Sequence, residues 1–407
     1  MAAMHEPVKC ARASGQTLSP ETFAVLACAQ AVLDERNLPR FRRAVAACTS
    51  AERLCETAVR HGMLGHLHRL VSAESDPALA AFARERLAEL YRLSAERALR
   101  QTGQLLRLID RLHVLGIEAM PVKGPAWAER LYGDVTLRSW VDLDLVVRYE
   151  QVPAARAALL EAGMRDDSPF NERLVHRRTR TEGEIHFHSA ENDLRVDVHW
   201  QIGVGRSADA LSAQWLLSRA ESRTLLGRDV LAPSASDMLL MTCLHGTRHR
   251  WDSVEGLLAL VRQVCGLAEA DWPGVMAAAR EAGCNRRVTV GVAYACRVFA
   301  LRAPQQVAAA LAGDAIARSL LRSLTPATLC TGGAATLSPQ VTDMLWNAST
   351  EDDTWASMEH AASRALRPGP EDWQTVRLPA GSEWLYYALR PFRLGVKWAS
   401  RLGLSRL

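Results

Sequence analysis

Long apolar runs, closely spaced cysteine pairs and lysine are the scarce features of this 407-residue chain. No stretch approaches the ~20 consecutive apolar residues that span a bilayer, and the opening MAAMHEPVKCARASGQ carries no continuous apolar segment. A soluble, cytoplasmic protein without integral membrane association is expected. The nine cysteines (10, 28, 48, 55, 243, 265, 284, 296 and 330) form no C-x-x-C pair and fall mostly on apolar helix faces, as structural thiols in a reducing compartment do. Three of the 49 basic residues are lysine (Lys9, Lys123 and Lys397), which leaves 46 arginines and marks Lys123 as more than compositional background. The net charge of +4 is too small to demand nucleic acid, although RLVHRRTR (173 to 180) makes a local basic patch. No internal repeat is present.

What is present is enough apolar residue, 48%, to bury one extended core or two to three modules. Apolar residues recur at three and four spacings over PETFAVLACAQAVLD, AERLCETAVRHGMLGHLHRLV and the long segment ending RLIDRLHVLG. These predict an N-terminal helical bundle over 1–116. Strand patterns occupy 117–203, interrupted by a helix over 151–163, and helical patterns return from about 208, giving a C-terminal helical region over 204–407 with a loop at 367–383.

Chemistry concentrates between Pro121 and Val147. IEAMPV (117 to 122) reads as a strand, Gly124 as a tight turn and PAWAERLY (125 to 132) as a helix ending at Gly133. A helix start leaves N–H groups unpaired and favours an anion, and Lys123 adds a full positive charge beside it. In DLDLVV the alternation places Leu143, Leu145 and Val147 on one strand face and Asp142 and Asp144 on the other, where two carboxylates share a cation. EIHFHS (184 to 189), the turn AEND and LRVDVHW (194 to 200) read as a hairpin. Its second strand sets Arg195, Asp197 and His199 on one face and packs Val196, Val198 and Trp200 inward. Asp142, Asp144 and Asp197 suffice to hold two divalent ions about 3.5 to 4 Å apart, the arrangement that neutralises phosphate charge and prepares a hydroxyl for in-line attack. His186 and His188 read as the outward face of a strand. His245 and His249 are four apart on a helix, but Gly246 stands where H-E-x-x-H needs its glutamate, so zinc is not expected. Trp127, Tyr132 and Trp140 read as core aromatics before base-stacking ones.

KG, then LYGD, Arg138, DLDLVV and a carboxylate before His-Trp together resemble the uncharacterised nucleotidyltransferase family, a divergent branch of the DNA polymerase beta-like nucleotidyltransferase superfamily. The resemblance covers roughly residues 110 to 260, including LHGTRHRW (244 to 251). It implies an α+β fold: a small mixed nucleotidyltransferase sheet flanked by N-terminal and C-terminal helical segments. It further implies Asp142, Asp144 and Asp197 as Mg²⁺ (or Mn²⁺) ligands, with Lys123, Gly124 and Arg138 near the phosphates of an NTP such as ATP. Two positions depart from the pattern: Pro125 follows Gly124 where a serine is usual, and Ala259 stands where an aspartate is usual. The expected reaction is transfer of a nucleoside monophosphate to an acceptor that is a small molecule, peptide, protein or RNA end, with release of pyrophosphate. The alternative is a non-catalytic nucleotide-binding or scaffold module on the same fold.

Overall fold

The computed structural model describes residues 18–74, 77–166, 183–189, 194–203, 211–326, 328–331, 339–353, 358, 382 and 384–401. The basic segment 173–180 and nearly all of the 367–383 loop lie outside the described residues. Packing groups the chain into two units, Met1–Ala334 and Ala335–Leu407.

In the first unit, helices α1 (Pro20–Leu33), α2 (Leu38–Ala46), α3 (Ala51–Arg60), α4 (Leu64–Ser72) and α5 (Pro77–Val114) precede the first strand. Ser19 starts α1 by accepting a hydrogen bond from the Thr22 N–H at 3.1 Å, and Ser50 does the same for α3 through Arg53. Residues Ala24 to Ala29 are buried around the whole circumference of α1, so that helix runs through the core rather than along its edge. Gln30 at its end donates to the Val298 carbonyl at 2.9 Å, tying the first helix to one near residue 300.

The sheet follows: β1 (Ala119–Val122), helix α6 (Gly124–Tyr132), β2 (Leu143–Val147), α7 (Val152–Glu161), β3 (Arg165–Asp166), β4 (Glu184–Ser189) and β5 (Leu194–His199). Its strand order is β1-β2-β5-β4-β3, with β2 and β5 parallel and every other pair antiparallel. The α+β architecture inferred from the sequence is therefore the one observed. Register fixes the faces. Leu143 pairs with Val196 and Leu145 with Val198, all at 0 or 1% exposure, so one face is apolar core worth about 1.5 to 3 kcal/mol per side chain. The opposite face carries Asp144 beside Asp197 and Val146 beside His199.

Helix α8 (Ala213–Ser218) contacts β2 and leads into a second hairpin, β6 (Glu221–Leu225) and β7 (Arg228–Ala232). The helical pattern from residue 208 did not anticipate this hairpin. Its turn is made by Leu226 and Gly227 at φ +46° and +78°, without the Asn-Gly or Asp-Gly that ordinarily announces such turns. The longer helices that follow in this unit are α9 (Ala235–Arg248), α10 (Val254–Gly266), α11 (Trp272–Glu281), α12 (Asn285–Val298), α13 (Gln305–Gly313) and α14 (Ala315–Ser323). Trp251, just past α9, is 2% exposed and is gripped by two glycines. A Cβ on Gly246 would lie 2.3 Å from Trp251 Cζ3, and one on Gly291 2.5 Å from Cζ2. Glycine at 246 thus makes room for an indole.

In the second unit, helix Leu385–Arg401 contains Pro391 and leaves Trp384, Tyr387 and Phe392 exposed while Tyr386 is buried. No described helix is long and apolar enough to cross a membrane.

Candidate functional site

The site begins with a strained turn. Val122, the last residue of β1, pairs with Asp144, and Lys123 follows at φ +54° and ψ −149°, a region nearly confined to glycine that costs about 1–3 kcal/mol elsewhere. Gly124 continues at φ +41° and opens α6, with Pro125 in its first turn. A Cβ on Gly124 would meet nothing closer than 3.7 Å, so glycine is required there by the backbone and not by crowding. This double bend turns the lysine back over the sheet: Lys123 Nζ donates to Asp144 Oδ1 at 2.9 Å.

Asp144, the second residue of β2, is 4% exposed, and it is held by two cationic partners. His199 Nε2 lies 2.8 Å from the same Oδ1, and His199 Nδ1 lies 3.0 Å from Glu184 Oε2. Burial alone opposes ionisation of Asp144, but Lys123 and His199 outweigh it and hold the carboxyl well below the usual range. Glu184 is likewise brought down to about 2, chiefly by His199 against its own burial. Burial disfavours the charged imidazole of His199, yet its bonds to Asp144 and Glu184 raise it to about 9. Asp197, next to Asp144 across the parallel pair, accepts from His186 Nδ1 at 2.8 Å.

Asp142 sits one residue before β2. Its pKa is raised, first by burial and then by the charges of Asp144 and Asp197, with Lys123 pulling the other way. The three aspartates singled out in the sequence therefore feel one another's fields, and Asp144 and Asp197 adjoin directly. Arg138, which the resemblance sets near the nucleotide phosphates, is engaged by protein groups. Its Nε pairs with the buried Glu255 at 3.4 Å and its guanidinium stands over the Trp127 ring at 5.7 Å, while Nη1 is buried with no partner among the described residues. Tyr132 also donates to Glu255, at 3.0 Å, so this aromatic belongs to the wall beneath the site. Solvent reaches the His245 ring on α9, but close packing and then Lys123, His249 and Arg138 keep it neutral down to about pH 3.

The residue pattern assigns no role to Glu184, reads His186 as the outward face of a strand and gives His199 no ligand role. A polar-facing histidine in a strand has no spacing signature, because its partners lie on other strands. Together, Asp144, Asp197 and His199 each offer one ligand atom, all within 4.8 Å of one another. The donor chemistry fits a divalent cation: two carboxylates suit a hard ion such as Mg²⁺, and the imidazole nitrogen shifts preference towards Mn²⁺ and later transition ions. Asp142 is not in this trio, and its raised pKa has burial as the first cause, with the charges of Asp144 and Asp197 after it.

Comparison with curated proteins gives no match. A family model described as uncharacterised nucleotidyltransferase matches residues 47–300, which runs from just after α2 past the end of α12 and takes in every described strand and every residue of the site. That span is more than half of the chain, which therefore belongs to the uncharacterised nucleotidyltransferase family.

Proposed function

We propose that this protein is a divalent-metal-dependent nucleotidyltransferase that moves a nucleoside monophosphate from an NTP to an acceptor hydroxyl or phosphate. The observation that carries the reading is the in-register pair Asp144 and Asp197 on adjacent parallel strands, with Lys123 and a helix start at their edge. In the reaction the acceptor oxygen bonds to the α-phosphorus, the α–β bridging bond breaks and pyrophosphate leaves. Asp142, Asp144 and Asp197, joined by His199, would hold Mg²⁺ or Mn²⁺, which when bound supplies charge neutralisation at the phosphates. Lys123 and the start of α6 at Gly124 would receive the triphosphate: a helix start favours an anion, and Lys123, at its N-cap, adds a full positive charge. Asp197, less enclosed than Asp144, polarises the acceptor. Arg138, its guanidinium fixed by Glu255 and Trp127, would lend positive charge near the phosphates.

The test is incubation of the full chain with each NTP, Mg²⁺ or Mn²⁺, and a panel of small-molecule, peptide, protein and RNA acceptors. Pyrophosphate release is followed together with the mass of the acceptor. A mass gain of one nucleotide, lost in Asp144→Asn, supports the reading. Nucleotide binding without any mass gain across the panel would favour a binding module instead.

A further inference from the structure

We propose that Glu184 and His186 on β4 are positioning residues that orient His199 and Asp197 towards the cation, a role that rests on the metal-dependent reading above. The register of β4 on β5 sets Glu184 opposite His199 and His186 opposite Asp197. Paired residues share a face of the sheet, so all four side chains stand beside Asp144.

The contacts form an arc across three strands. Asp144 Oδ1 lies 2.8 Å from His199 Nε2, and His199 Nδ1 lies 3.0 Å from Glu184 Oε2. The other oxygen, Glu184 Oε1, is 3.7 Å from His186 Nε2, an ion-pair distance, and His186 Nδ1 is 2.8 Å from Asp197 Oδ1. One carboxylate thus addresses both imidazoles, one through each oxygen. The bond to Glu184 stops the His199 ring from turning about Cβ–Cγ and keeps Nε2 on the Asp144 side. His186 fixes the rotamer of Asp197 in the same way.

An ordinary exposed ion pair would be worth about 0–1 kcal/mol and would orient nothing. This arc differs because it ends on two buried or nearly buried side chains that face one point: Asp144 at 4% and Asp197 at 15% exposure. Outer partners that orient metal-binding side chains change metal affinity by about 10- to 100-fold when removed. Strand β4 thereby acquires a task that its outward alternation hides.

The experiment is a Mn²⁺ titration of the EDTA-treated full chain, read by the electron paramagnetic resonance signal of free Mn²⁺, with the melting temperature of the metal-free protein measured in parallel. Glu184→Ala and His186→Ala are expected to weaken Mn²⁺ binding by about 10- to 100-fold. His186→Asn, whose side-chain amide reproduces the Nδ1 donor, restores most of the affinity, and Glu184→Gln falls between wild type and alanine. Alanine variants that bind Mn²⁺ as tightly as wild type, with or without a lower melting temperature, would overturn the positioning role and leave the metal-dependent reading standing. A wild-type chain that binds no Mn²⁺ overturns that reading itself, and the positioning role with it. Should Glu184→Ala fail to fold, the pair His186→Ala and His186→Asn decides the question alone.

Discussion

Asp144 and Asp197 are Cα partners across the parallel β2–β5 pair, yet they are held unequally: Asp144 is clamped by both Lys123 and His199, whereas among the described residues Asp197 is held by His186, at 2.8 Å. The inequality separates what each residue contributes to folding from what it contributes to chemistry.

Replacing either aspartate by asparagine should lower nucleotidyl transfer by at least about 100-fold, since a lost cation-binding charge is worth several kcal/mol at the transition state. Only Asp144→Asn should also lower stability, by about 1–3 kcal/mol, because it weakens two charged bonds at a buried position. Pyrophosphate release and urea denaturation of the two variants check both parts. Equal destabilisation by the two substitutions would contradict the asymmetry.

Lys123→Ala should weaken NTP binding by about 10- to 100-fold, the equivalent of one charge-assisted contact. The backbone strain at φ +54° persists in alanine, so relief of the bend does not compensate. Calorimetric titration with a non-hydrolysable NTP measures the change, and an unaltered dissociation constant would remove Lys123 from the phosphate site.

Gly246→Ala should destabilise the protein by about 1–3 kcal/mol or prevent folding, because its Cβ would be driven 2.3 Å from the Trp251 ring. Pairing it with Trp251→Leu should recover part of the loss by vacating the slot. Denaturant midpoints of the single and double variants provide the comparison.

Stability should fall as pH drops from about 6.5 towards 4. His61 and His66 are 1% and 2% exposed, and both are lowered to about 4: burial is the main cause, followed by Arg60 at His61 and by Arg262 and Arg69 at His66. Above 6.5 both folded and unfolded chains keep these rings neutral. Below it the unfolded chain takes up protons that the folded chain refuses until about pH 4, so protonation favours unfolding. His61→Leu and His66→Leu together should flatten the melting-temperature profile between pH 6.5 and 4.5. An unchanged slope in the double variant would show that other groups set it.

Much of this site was legible in the residue pattern because a strand's two-residue period is rigid. Alternation in DLDLVV and LRVDVHW separated Leu143, Leu145, Val196 and Val198 from Asp144 and Asp197, and the register then brought the carboxylates together. The turn at Lys123 and Gly124 was visible as a glycine before a proline. What escaped was contact between distant segments: Glu255 lies well over 100 residues from Arg138 and Tyr132, and no local spacing announces such a pairing. Glu184 and His186 escaped for a related reason, since their partners stand on the neighbouring strand and alternation alone reads them as solvent-facing. The β6–β7 hairpin escaped because Leu226 occupies a positive φ that sequence would assign to asparagine or glycine.

Residue 123 carries two demands that no ordinary amino acid meets together. The backbone at φ +54° and ψ −149° suits glycine, and the carboxylate 2.9 Å away calls for a cation. Glycine there would relax the bend but strip buried Asp144 of one of its two cationic partners, so selection for heat resistance would lose on one term what it gains on the other, and thermal stability and charge recognition pull the same way at this codon.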